Sequence, residues 1–185
     1  MTGVGSYLPK NKYSNEDLTK FIDTSDEWIT KRSGIKFRHF VSKNETTSDM
    51  AVNAALNAII NAQIKKEVID LIIVATTTPD NTFPATATLV QKKLGINSVS
   101  FDVQAVCAGF VFALSVAKSM MKDNHYSNCL VIGADSMSKL LNWNDRTTSV
   151  LFGDGAGAVI LQKFENIDKK LNDWGILSNV IHSDG

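Results

Sequence analysis

The chain has 185 residues, with 19 Lys plus Arg against 19 Asp plus Glu. That is long enough for one domain with a real core, and the charge balance gives no electrostatic reason to expect nucleic acid or an anionic membrane surface as a partner. The longest nearly apolar run, 105–117, is too short to span a bilayer. The opening MTGVGSYLPK lacks a charged n-region and an apolar h-region, so no signal peptide is expected. Two cysteines, Cys107 and Cys129, make neither a disulfide framework nor a metal motif. A reducing, cytoplasmic setting is the default expectation.

In chain order, SNEDLTKFI (14–22) predicts a helix with Ser14 as N-cap and Asp17 three residues on. TSDEWITKRSG (24–34) predicts a second, capped by Thr24 with Glu27 three residues on and ended by Gly34. SDMAVNAALNAIINAQ (48–63) carries apolar residues at 52, 55, 56, 59 and 60, one helical face. LIIVATTT (71–78) is a β-branched apolar run. ATATLVQKKLG (85–95) reads as a helix ending on Gly95 at C′. VSFDV (99–103), CLVIGAD (129–135) and AVILQK (158–163) are further strand-like runs. Their continuous apolar character suits strands buried on both faces. The alternation predicts an α/β fold, a mainly parallel sheet with helices on both faces. No repeat, linker or low-complexity tract interrupts residues 1–185, which read as one domain.

The segment between the second and third of these strands carries the chemistry. Cys107 follows VSFDV through a short turn and precedes AGFVFALSVA (108–117), in which Ser115 is the only polar residue. A helix apolar all round must be covered all round. One sheet covers one side, so something else must cover the other. Cys107 itself has two readings. Helix N-terminal amides favour a thiolate and can stabilise an oxyanion on an acyl carbonyl. The small neighbours Ala105, Ala108 and Gly109 leave room for an approaching thioester. Free cysteine is also a common small buried hydrophobe. A cysteine nucleophile usually takes a base or charge partner. None of His39, His125 and His182 carries a local signature of that role.

Seven stretches together resemble the 3-oxoacyl-[acyl-carrier-protein] synthase III family, within the thiolase-like superfamily. They are GVGSYLP (3–9), DTSDEWITKRSGI (23–35), NETTSDMA (44–51), VATTTPDNTFPATA (74–87), FDVQAVCAGF (101–110), DRTTSVLFGDGAGAVIL (145–161) and HSDG (182–185). They occur in the family's order over essentially the whole chain. The resemblance implies a thiolase-like fold and an acyltransferase that starts fatty-acid synthesis. Cys107 accepts a short acyl group from coenzyme A, and the acyl group then condenses with malonyl-acyl carrier protein. Trp28 and Arg32 match the residues that hold the adenine end of coenzyme A, with Thr24 in the same loop. Arg146 matches the arginine across the adenine slot. Phe83 matches a phenylalanine that reaches into the acyl pocket of a dimer partner. Taken singly, Trp28 also suits a helix-face core position, and Arg32 and Arg146 suit solvated surface positions. FGDGAGAV (152–159) lacks the spacing of a dinucleotide fingerprint and runs into a strand. No nucleotide cofactor and no metal are expected, acyl-coenzyme A being a substrate.

The resemblance covers the family's N-terminal half. The segments that carry the family's catalytic histidine, its asparagine in a GNTSAAS-like stretch and a glycine-rich oxyanion segment have no match here. Thr147 stands where glycine is frequent. The expectation is a chain that is marginal or associates through the Cys107 helix, with a separate C-terminal half or a second copy. It is either the acyl-accepting half of the enzyme, with incomplete activity alone, or a non-catalytic remnant or binding subunit. Another thiolase-like acyl-coenzyme A condensing enzyme is the alternative within enzymes.

Overall fold

A computed structural model describes residues 1–122, 125–164 and 175–184. Gly185 of HSDG and the two residues ahead of His125 lie outside them. The elements are β1 (Gly3–Tyr7), β2 (Asn11–Ser14), α1 (Asn15–Leu18), α2 (Asp26–Ser33), β3 (Phe37–Phe40), α3 (Thr47–Ala62), β4 (Leu71–Ala75), α4 (Thr86–Leu94), β5 (Val99–Val103), α5 (Gly109–Lys122), β6 (Asn128–Ser136), α6 (Arg146–Ser149) and β7 (Asp154–Gln162). One five-stranded sheet has the order β1-β7-β6-β4-β5, and β2 and β3 form a separate two-stranded antiparallel sheet.

The sheet is mixed rather than mainly parallel. β4 runs parallel to β5 and β6, whereas β7 runs antiparallel to both β6 and β1. Apolar runs such as AVIL report burial on both faces, not direction, and β7 is buried between two neighbours as a parallel strand would be. α3 and α4 cover one face, where Ala54, Ala58, Ile72, Val90, Ile132 and Ile160 belong to one buried cluster. α5 covers the other, with Ala113, Ala117 and Met121 against Leu71, Ile73, Val131 and Leu161. A third cluster, of Leu18, Ile22, Ile29, Phe40 and Val150, holds α1, α2, β3 and the end of α6 together.

Three helices differ from the expectation in detail: α1 stops at Leu18, and residues 19–21 of the expected helix are turns. α3 buries Met50, Ala51, Ala54, Ala55, Ala58 and Ile59, while Leu56 and Ile60 are 39% and 72% exposed. The buried stripe is therefore rotated toward the alanines. Close approach drives this: a Cβ on Gly3 or Gly5 of β1 would collide with the backbone of α3 at Ala58 and Ala54. Small residues on both sides let the backbones meet. The same glycines made β1 unreadable as a strand. α2 is capped by Ser25, whose Oγ accepts from the Trp28 amide at 3.1 Å, not by Thr24. Either residue type can cap; the helix begins one residue later than the pattern suggested. Ser14 with Asp17 does form a capping box, and Thr46 with Asp49 forms another. Gly34 and Gly95 end α2 and α4 in the left-handed conformation.

Candidate active site

β5 ends at Val103, and residues 106–108 form one 3₁₀ turn before α5 begins at Gly109. Cys107 lies in that turn, exposed, at the amino end of α5. The turn is strained. Val106 sits at φ +47°, a region that a β-branched residue almost never occupies, at a cost on the order of 1–3 kcal/mol. Its side chain is 63% exposed, so burial of an isopropyl group does not offset that cost. What the geometry achieves is presentation: the turn holds the thiol at the surface. Gly109 lies tight on the sheet, since an added Cβ would come within 3.3 Å of the Ala75 methyl. Cys129, by contrast, is sealed in the core, where burial pushes its thiol well above the ordinary range. Of the two cysteines, only Cys107 is exposed. Among the described residues no side chain hydrogen-bonds it. His39 is engaged elsewhere, its Nδ1 2.5 Å from the Pro9 carbonyl, and His182 is exposed near the end of the chain.

A second constellation forms around Trp28. The helical frame of α2 places Trp28 and Arg32 four residues apart, on one face, and the Arg32 guanidinium lies 4.3 Å from the indole centroid. Arg146, 118 positions later in the chain, brings its guanidinium to 5.0 Å from the same ring. Both lie within the range of a cation–π contact. Arg146 also donates to the Asp23 carbonyl at 3.0 Å, which ties α6 to the loop that holds Thr24. That loop and α6 border a groove lined by Phe21, Asp23, Trp143, Asn144 and Arg146. Trp28 is half-buried and also packs against the third core cluster. The core and ligand readings of this residue are thus compatible: one part of the ring packs inward and the rest faces two cations. An indole flanked by guanidiniums suits a flat aromatic group that carries phosphate. The Thr24 hydroxyl is buried without a partner. Phe83 stands apart, 83% exposed.

Several aspartates that were not singled out in the sequence hold this scaffold. Asp102 on β5 accepts from the Thr86 and Ala87 amides at 2.7 Å each, capping α4, whose own N-cap position is Ala85. Asp154, 4% exposed, accepts from the Val41 and Ser138 amides at 2.8 Å each. FGDGAGAV is therefore a turn into β7 whose aspartate clamps two loops. Asp135 accepts from the Thr77 amide at 2.7 Å and orders the loop after β4. No sequence spacing marks these contacts, because each joins residues distant in the chain.

Among known proteins, the profile of 3-oxoacyl-[acyl-carrier-protein (ACP)] synthase III matches residues 101–185. The beta-ketoacyl-[acyl-carrier-protein] synthase III of Ehrlichia canis (strain Jake) is 57% identical over 184 residues, which cover 99% of this chain and 56% of that protein. The enzyme of the same description from Neisseria gonorrhoeae (strain NCCP11945) is 54% identical over 187 residues, covering 100% and 56%. The crystal structure of 3-oxoacyl-[acyl-carrier-protein] synthase III from Aquifex aeolicus VF5 superposes with a TM-score of 0.83 at 49% identity, covering 89% of this chain and 54% of that one. The chain spans about half the length of the curated relatives it matches. Its fold is thiolase-like α/β.

Proposed function

We propose that the chain is the acyl-accepting part of a 3-oxoacyl-[acyl-carrier-protein] synthase III. The observation that carries this reading is the exposed Cys107 in a strained turn at the head of α5. In the first half-reaction the Cys107 thiolate attacks the carbonyl of a short acyl-coenzyme A. A tetrahedral oxyanion forms, the bond to the coenzyme A sulfur breaks, and coenzyme A leaves as a thiolate that takes up a proton. The amides at the head of α5 are the oxyanion donors this chain supplies. Trp28 stacks on the adenine, Arg32 adds stacking or a phosphate contact at the same end of coenzyme A, and Arg146 lies across the adenine slot, with Thr24 in the loop beside them. No metal or resident cofactor takes part.

In the second half-reaction malonyl-acyl carrier protein loses carbon dioxide. The resulting enolate carbon attacks the Cys107 thioester, and the cysteine leaves as thiolate. Stabilising that enolate belongs to the remainder of the enzyme, a second domain that packs on α5. The groove between Phe110 of α5 and Val4 of β1, floored by Gly133, Gly157 and Val159, is the apolar face it covers. The working enzyme is a cytoplasmic homodimer in which Phe83 reaches the partner's acyl pocket.

The test is the intact mass of the protein after incubation with acetyl-coenzyme A, beside a Cys107→Ala variant. The expected result is an acetyl adduct on the parent and none on the variant. A folded parent that stays unmodified would mean that this chain is not the acyl acceptor by itself and serves as a binding subunit.

A further inference from the structure

Resting on that reading of the Trp28 slot, we infer that the buried pair Arg38 and Asn15 are positioning residues that set the spacing between the two walls of the coenzyme A site. One wall is α2, with Trp28 and Arg32; the other is α6, with Arg146. The direct links between them, the Arg146 contacts with Trp28 and the Asp23 carbonyl, are at the surface. Beneath the surface runs a second link. Asn15, 1% exposed, donates through Nδ2 to the Asp26 carboxylate at 2.8 Å and to the Ile35 carbonyl at 2.7 Å. Those two residues bracket α2, the first residue of the helix and the second beyond its end. The Asn15 side-chain Oδ1 in turn accepts from Arg38 Nη1 at 2.6 Å, and Arg38 Nη2 donates to the Val150 main-chain carbonyl at 2.6 Å. Val150 is the C-cap of α6. A single planar fork therefore joins the clamp on α2 to the end of α6.

The energetics favour a purpose other than stability. Arg38 is 5% exposed, and among the described residues it pairs with no carboxylate within ion-pair distance. Its Nε is buried without a partner, and burial lowers the affinity of the guanidinium for its proton. A buried, unpaired cation costs free energy that an apolar side chain of similar volume does not. What arginine supplies and an apolar residue lacks is a rigid pair of donors at fixed separation.

The test uses Arg38→Lys, which keeps charge and stem but loses the fork, with Arg38→Met as a second variant. Two measurements are made on the whole chain. The first is the indole N–H resonance of Trp28, assigned with Trp28→Phe. It is expected to move in both variants without any ligand. The second is the Kd for coenzyme A in a double-mutant cycle with Arg146→Ala. Arg38→Lys is expected to weaken binding roughly tenfold in the parent and by less than about twofold in the Arg146→Ala background, because the two act through one spacing. A Trp28 resonance unmoved in folded Arg38→Lys overturns the inference, as does a loss of affinity equal in both backgrounds. Loss of folding in both variants also overturns it, making Arg38 a structural residue. A parent chain that binds no coenzyme A counts against the proposed function instead, and the Trp28 resonance still decides the role of Arg38.

Discussion

Val106 shows what a single residue contributes to this site. Its positive φ places the next residue, Cys107, in the exposed turn rather than inside the helix. Glycine adopts this conformation without steric cost. Val106→Gly is therefore expected to raise the free energy of unfolding by about 1 kcal/mol and to slow acetylation of Cys107, since the turn becomes free to relax. Urea denaturation and time-resolved intact mass measure the two effects. A variant that is no more stable than the parent would remove strain from the account of this site. Cys107, Trp28, Arg32 and Arg146, whose roles are proposals, were singled out in the sequence through the resemblance of their motifs. The strain at Val106, the caps from Asp102 and Asp154 and the fork of Arg38 were not. A residue's φ and its long-range hydrogen bonds depend on where the chain goes, and residue type records neither.

At the scale of elements, helix positions were well marked and strand pairing was not. Capping boxes at Ser14 and Thr46 and terminal glycines at 34 and 95 act within a few residues, so they stand in the sequence as they act in the fold. β1 depends on a different relation. Gly3 and Gly5 are demanded by the backbone of α3, more than 45 residues away in the chain by the contact pairs Gly3–Ala58 and Gly5–Ala54. Gly5→Ala is expected to destabilise the protein by about 1–3 kcal/mol, because the Cβ meets main chain that cannot rotate aside. An unchanged urea midpoint would mean that α3 moves away from β1 at little cost. The outer edge of β1 is also closed by α3: Asn61 Oδ1 accepts from the Val4 amide and Asn57 Nδ2 donates to the Ser6 main-chain carbonyl, both at 2.9 Å. Side chains thus satisfy backbone groups that would otherwise invite another strand.

For the whole molecule, the deciding feature is the two sides of α5. Gly109, Ala113, Ala117 and Met121 face the sheet and are buried, and Val111 on another side is 45% exposed. Beside α5, Val4 is 56% exposed over the bare end of the sheet. The chain alone is expected to bind the hydrophobic dye ANS at this groove, and Val4→Lys is expected to lower that fluorescence several-fold. A parent chain that binds no dye would show that the groove is not an accessible apolar surface. The apolar run 108–117 carried this message in the sequence, because hydrophobicity on every helical face demands cover on every face. By itself the sequence determined the α/β character, the capping boxes of α1 and α3 and the glycine ends of α2 and α4. All of these rest on composition and spacing within one or two turns of chain. Only the tertiary structure decided the direction of β7, the close packing of β1 on α3 and the meeting of Trp28 with Arg146. Each of these is a contact between residues far apart in the chain, and local periodicity holds no information about which distant segments meet.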